Sequence, residues 1–320
     1  LVTYGVTALP TYTPPLLLFN GHLETLYPAL FRRVRLPLYE RERLITDDDD
    51  FLDLDWVRRG HQELVVISHG LEGNTDRAYV KGMARALYEA GFDVLAWNYR
   101  GCSQEMNRQL RFYHSGSTDD LDRVVRHTLR GPWRSIHLIG FSLGGNITLK
   151  FLGEHGTRLD ARIGKAIAFS TPVDLHSSCL QISRPQNKLY ALRFLISLKE
   201  KIRRKAALRS DLDISNLEKI KTLIEFDDRY TGPLHGFVDA VDYYTKCSSL
   251  PLLGSIAKPT LLINSRNDPF LSRECFPHTV PLTAPIRLMY PERGGHVGYT
   301  SFNGNGVFWS EQAAIDFLTN

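Results

Sequence analysis

Ser135-Ile136-His137-Leu138-Ile139-Gly140-Phe141-Ser142-Leu143-Gly144-Gly145-Asn146 is an apolar run that breaks at G-x-S-x-G and passes at once into a helix-compatible segment, Ile147 to Glu154. It reads as strand, sharp turn, helix. In such a nucleophile elbow the turn strains the serine backbone and lifts its hydroxyl above the sheet edge, and small residues are needed at Gly140 and Gly144, where strand and helix nearly touch. Ser142 is therefore the candidate nucleophile. A five-residue pattern of common residues matches by chance in many loops, so the flanking strand and helix carry the argument.

Outward from the elbow, short continuous apolar runs alternate with amphipathic segments. Leu64 to Ser68, Asp93 to Asn98, Lys165 to Phe169, Pro259 to Asn264 and Ile286 to Tyr290 read as buried strands, and Arg77 to Ala90, Ser117 to Leu129 and Glu311 to Leu318 as helices. Phe31 to Ile45 and Phe51 to Arg58 read as two further strands joined by Asp47-Asp48-Asp49-Asp50, which lacks the central Gly and terminal Glu of a calcium loop and is expected to be a solvated hairpin turn. Leu1 to Leu30 reads as an irregular arm with a turn of helix near Glu24, where His22 and Glu24 are too few to hold a metal. Alternation of strand and helix implies an α/β fold with a mainly parallel, doubly wound sheet. Residues 1–172 and 251–320 would form its core.

Between them, 173–250 reads as an inserted helical lid rather than an independent domain. Within it, Leu189 to Leu208 spaces Ala191, Leu195, Leu198, Ile202 and Ala206 as an apolar stripe and carries Arg193, Lys199, Lys201, Arg203, Arg204 and Lys205 elsewhere. Those charges offer a peripheral contact with anionic lipid headgroups; the commoner reading is a solvated basic face.

A serine hydroxyl needs a base to take its proton and an acid to orient that base, and in this architecture they follow in the order Ser, Asp or Glu, His. Asp268 lies just past the strand Pro259 to Asn264, and His296, after Gly294-Gly295, just past the last strand. Asp268 could instead cap a helix starting at Pro269, and Asp227 and Asp228 in the insertion are rival acids. His69 is the rival base. It sits, however, where backbone amides are wanted, so His69-Gly70-Leu71 reads as an oxyanion loop in which the Leu71 amide acts with that of Leu143.

Composition limits the alternatives. A chain of 320 residues, 43% hydrophobic, can bury a large core, and no apolar run approaches the ~20 residues that would span a bilayer. A net charge of +4 without a clustered basic footprint argues against nucleic acid as a partner. Cys102, Cys179, Cys247 and Cys275 form no ligand grouping, which suggests reduced thiols, a cytoplasmic setting, and no metal or other cofactor.

The longer strings are more specific than the elbow. FNGHLETLYP, SHGLEGN, NYRGCSQEMNRQLRFYHSGSTDDL, GFSLGGN, FDDRYTGPLHGFVDAVDYY, NSRNDPF and GGHVGY together resemble the YheT-like branch of the α/β-hydrolase superfamily, over nearly the whole chain. That resemblance implies carboxylic-ester hydrolysis, with short-chain ester or acylglycerol substrates. It also draws attention to His114 and Asp119, an H-x-x-x-x-D linked with acyl transfer in some lipid enzymes, although Asp119 equally suits a helix N-terminus. The competing expectations are an acyltransferase or peptidase on the same residues, and a lipid-binding protein that keeps the fold. Acyl length, alcohol group and oligomeric state are not legible.

Overall fold

The computed structural model describes residues 10–36, 39–281 and 283–320. Its centre is an eight-stranded sheet of β1 (Glu40–Ile45), β2 (Phe51–Val57), β3 (Glu63–Ser68), β4 (Asp93–Asn98), β5 (Ser135–Phe141), β6 (Ile163–Phe169), β7 (Thr260–Ile263) and β8 (Ile286–Met289). The order is β1-β2-β4-β3-β5-β6-β7-β8, with β2 antiparallel to both neighbours and every pairing from β4 to β8 parallel. Flanking it are α1 (Gly21–Phe31), α2 (Ala78–Glu89), α3 (Thr118–Thr128) and α4 (Leu143–His155), then α5 (Leu175–Ile182), α6 (Lys188–Ala206), α7 (Leu223–Phe226), α8 (Gly232–Leu234), α9 (Ala240–Cys247) and α10 (Trp309–Thr319).

The continuous apolar runs follow from burial on both faces, because side chains alternate along a strand. Leu64, Val66, Leu138, Ala166 and Leu262 feed one core, which includes Ile147 and Phe151 of α4. Val65, Ile67, Ile139, Ile167 and Leu261 feed the other, which is covered by Met83 of α2 and Ala313 of α10. Among the described residues, the chain from Phe169 to Thr260 contributes helices α5 to α9 and no strand.

Four expectations are corrected. The segment expected as an arm holds an eleven-residue helix, α1, N-capped by Asn20, and residues 1–9 of that arm lie outside the described residues. The strand expected from Phe31 begins only at Glu40, because α1 occupies Phe31; residues 37–38 also lie outside the described residues. The acidic hairpin is not simply solvated. Asp50 is fully buried, and Arg100, itself buried, meets Asp50 and Asp120 at 2.8 Å and Asp48 at 3.0 Å. In α6, Lys199, Lys201 and Lys205 are buried rather than solvated. Lys205 Nζ donates to the Asn107 and Gln109 carbonyls at 2.5 Å, an arrangement that charge counting cannot foresee.

Candidate active site

Strand β5 ends at Phe141 and α4 begins at Leu143, so Ser142 alone makes the turn, at φ 54° and ψ −120°. That conformation costs an L-residue on the order of 1–3 kcal/mol and persists only where its surroundings enforce it. The enforcement is close packing: a Cβ on Gly140 would collide with the Gly144 carbonyl, and one on Gly144 with the Ser68 carbonyl. Of the non-glycine residues with positive φ among those described, Glu72, Ser142, Ser170, Val297 and Tyr299 all belong to this sheet edge.

At this turn Ser142 Oγ is 2.9 Å from His296 Nε2, and His296 Nδ1 is 2.8 Å from Asp268 Oδ2. With Nδ1–H donating to the carboxylate, Nε2 is left as an acceptor for the serine proton. Asp268 is fully buried at its side chain and accepts the Phe270 N–H through Oδ1, so it fixes a turn and faces the histidine at once. No helix begins at Pro269. The Phe270 ring lies 4.2 Å from the imidazole and covers it.

The His296 loop rests on α1, a feature the sequence reading missed. Thr25 Oγ1 accepts the His296 N–H at 2.8 Å, and Glu24 accepts from the Gly294 N–H at 3.0 Å and Asn267 Nδ2 at 2.7 Å while pairing with Arg293. Glu24 is therefore a buried strut. Its neighbour His22 bonds the Tyr190 hydroxyl instead. Among the described residues no cluster of His, Cys, Asp and Glu could hold a metal ion. The four cysteines are free thiols.

The loop after β3 passes so near the serine that a methyl on Gly70 would sit 3.3 Å from Ser142 Cβ. Three of its amides are committed: Gly70 N–H to the Tyr79 hydroxyl, Glu72 N–H to the Tyr113 hydroxyl and Gly73 N–H to the Gly70 carbonyl. Neither the Leu71 nor the Leu143 amide has an acceptor among the described residues. Two spare amides beside the candidate nucleophile suit a developing oxyanion. His69 is spent as scaffold: Nδ1 donates to the Gly70 carbonyl at 2.8 Å, Nε2 accepts the Tyr99 N–H, and burial lowers its pKa to about 3. Asp228 accepts the Ala240 N–H, and Asp227 accepts the Thr231 and Tyr244 hydroxyls, so neither rival acid is bonded to His296.

Glu72 ties this loop to α6. Lys201 Nζ meets its carboxylate at 2.6 Å, and the Ser197 and Tyr113 hydroxyls donate to it at 2.6 and 2.7 Å. Burial alone would push that carboxyl up; Lys201 and the two hydroxyls outweigh it and hold it below its ordinary range. Two cavities meet at the serine, one of about 160 Å³ beneath α5 to α9 and one of about 200 Å³ toward α1 and α2. Leu71, Ser142, Phe194, Phe270 and His296 wall both.

Residues 63–274 match the α/β-hydrolase fold family. Over 310 residues the chain is 34% identical to "Putative esterase YheT" of Escherichia coli K12, covering 94% of this chain and 90% of that one. The chain belongs to the α/β-hydrolase family, in its YheT-like branch. This α/β hydrolase is also 27% identical over 320 residues to "Monoacylglycerol lipase" of Saccharomyces cerevisiae, covering 97% of this chain and 66% of that one. Among solved structures, an esterase of Pyrococcus furiosus, Pf2001, shares the fold at a TM-score of 0.57 and 18% identity, over 88% of this chain and 92% of that one.

The buried histidines make the stability of the hydrolase acid-sensitive. Burial lowers the pKa of His69, His114 and His235, the nearby His235 lowering His114 further. The unfolded chain binds protons at these sites below about pH 6.5 while the folded chain does not. Their contribution to stability is complete above that pH and is lost as pH falls toward the folded values, by about 1.4 kcal/mol per unit for each histidine. Asp227 opposes them, since burial raises its pKa to about 6 and its contribution grows as pH falls toward 3.8. Urea unfolding should show a loss of stability between pH 7 and pH 5. Constant stability across that range would show that these rings are not held neutral.

Proposed function

We propose that this α/β hydrolase cleaves carboxylic esters, of the short-chain or acylglycerol type, through an acyl-enzyme on Ser142. The reading is carried by one observation, the unbroken chain of contacts from a strained serine through His296 to a buried Asp268. His296 takes the serine proton as Oγ attacks the ester carbonyl, and Asp268 stabilises the imidazolium that results. The Leu71 and Leu143 amides receive the oxyanion, His296 returns the proton to the leaving alkoxide, and water releases the acid by the reverse steps. Esterase and acylglycerol-lipase names among the relatives support the same substrate class. No step calls for a metal or another cofactor.

A fluorophosphonate probe tests the reading. Covalent labelling at Ser142, with turnover of an ester panel, is the expected result. Folded protein that neither labels nor turns over would instead be a lipid-binding module; labelling with amide cleavage, or with transfer only to an alcohol, would make it a peptidase or an acyltransferase.

The inserted segment, 173–250, serves in this reading as a lid. Contact with a lipid surface would fall to the outward side of α6, where Leu189, Leu192 and Ile196 are exposed beside Arg193, because the buried lysines are unavailable. Lys201 is then a positioning residue, which through Glu72 holds the Leu71 amide in register. Lys201→Met leaves a buried carboxylate uncompensated, and kcat should drop by about 10²-fold, the scale of a lost oxyanion donor, with KM little changed. Lys201→Arg should restore most of that loss. A change confined to KM, or no rescue, would reduce the ion pair to a structural contact.

A further inference from the structure

The cavity beneath the inserted helices is largely apolar but polar at one part of its wall, and the reaction cycle above uses nothing there. His114 and Ser115 belong to that wall. Their loop is pinned near the nucleophile, because Asn146, about one helical turn beyond Ser142, donates Nδ2 to the Ser115 carbonyl at 2.8 Å.

The protonation of His114 follows from its partner. The Gly116 N–H, which can only donate, meets His114 Nδ1 at 3.1 Å, so the neutral ring carries its proton on Nε2. Burial keeps that ring neutral. Nε2–H has no acceptor among the described residues. Ser115 Oγ accepts the Tyr243 hydroxyl at 2.8 Å, and its own hydrogen likewise has no acceptor among them. By contrast His235, 4.7 Å from the His114 ring, is spent: Nδ1–H donates to the Thr231 carbonyl and Nε2 accepts the Phe112 N–H. Nor is His114 half of an acid–base pair with Asp119, whose carboxylate meets Arg111 at 2.6 Å and Arg123 at 3.0 Å.

Two unspent neutral donors on adjacent residues of an apolar cavity fit an oxygen acceptor on the ligand. An anion fits poorly, since Lys201 is committed to Glu72 and the Asp227 carboxyl stands in the same wall. The portion of the ester that enters here follows from His296. Val297 and Thr25, which flank and hold the histidine loop, wall the other cavity, so the leaving alcohol, which takes its proton from His296, belongs there. The acyl chain then takes this one. At about 160 Å³ it is near the size of a cavity that accepts benzene, about six carbons.

We infer that this cavity is an acyl subsite for short chains bearing an uncharged oxygen acceptor near their far end, which His114 Nε2–H receives with the Ser115 hydroxyl beside it. The inference rests on the esterase reading above.

The test compares 4-nitrophenyl hexanoate with 4-nitrophenyl 5-oxohexanoate, esters of the same chain length that differ by one ketone oxygen. The wild-type enzyme should prefer the oxo ester by about tenfold in kcat/KM, the worth of one hydrogen bond left unmade in a buried site. In His114→Phe, which keeps a ring and loses the donor, that ratio should fall to about one, whereas His114→Gln, which keeps an N–H, should retain part of it. A wild-type ratio at or below one overturns the subsite whether or not the variants fold, and so does a ratio that His114→Phe leaves intact. Wild-type enzyme inert toward both esters would instead overturn the esterase reading itself.

Discussion

Ser142→Ala should lower ester turnover by about 10⁴- to 10⁶-fold, the range seen when one member of a cooperating triad is removed, and leave only what the amides and binding contribute. The fold should survive, because the change removes one oxygen from a turn whose geometry is set by Gly140 and Gly144. Alanine carries the same backbone penalty as serine at φ 54°, so its melting temperature should match that of the wild type. Ser142→Gly tests the strain directly. Glycine adopts this conformation freely, so that variant should be as inactive as the alanine one and more stable by about 1 kcal/mol. Turnover and thermal unfolding of the two variants decide both points. Wild-type-like turnover in folded Ser142→Ala would end the acyl-enzyme mechanism, and a destabilised glycine variant would deny that the turn is strained.

Asp268→Asn should cost about 10⁴-fold in turnover, because an amide facing His296 Nδ1 favours the wrong tautomer and gives the imidazolium no support. The competing acid gives the contrast. Asp228 accepts the Ala240 N–H in the inserted segment, so Asp228→Asn should change turnover by no more than a few-fold. Asp268 Oδ1 also accepts the Phe270 N–H, which an asparagine oxygen can replace, so the folded population should be nearly the same in both variants. Kinetics of the two purified variants, with circular dichroism to confirm folding, provide the measurement. A severe loss in Asp228→Asn beside a silent Asp268→Asn would place the acid in the insertion.

What could be read beforehand divides along physical lines. Strands β3 to β7 announce themselves because each feeds two cores and so shows an unbroken apolar run, as in Leu64 to Ile67, and the elbow because its glycines have no other use. Ser142, Asp268 and His296 were legible as strand-end residues, and their mutual distances were not. Helix α1 was hidden by Gly21 at its start and Pro28 inside it. Its importance lies in partners some 270 residues away, which no local periodicity reports. FNGHLETLYP, one of the strings that carry the family resemblance, was the only signal that Glu24 and Thr25 mattered. The polarity of Asp50, Lys201 and Lys205 misled for a related reason. Charge in a sequence suggests solvent, and these charges are buried because Arg100, Glu72 and the Asn107 and Gln109 carbonyls wait for them in space.

The strut between α1 and the His296 loop also bears on how the protein is made. Thr25 holds the His296 amide across 271 positions of sequence, so one end of that contact leaves the ribosome long before the other exists. A growing chain can pair β3 with β4 and β5 and shape the turn at Ser142, yet the proposed base, His296, is absent until β8 and the loop after it emerge and find α1. Contacts of such separation carry a large loop-closure cost. On the mechanism proposed above, a nascent chain that stops short of residue 296 therefore carries Ser142 without its base, and ester-cleaving power arrives only once the His296 loop has docked on α1.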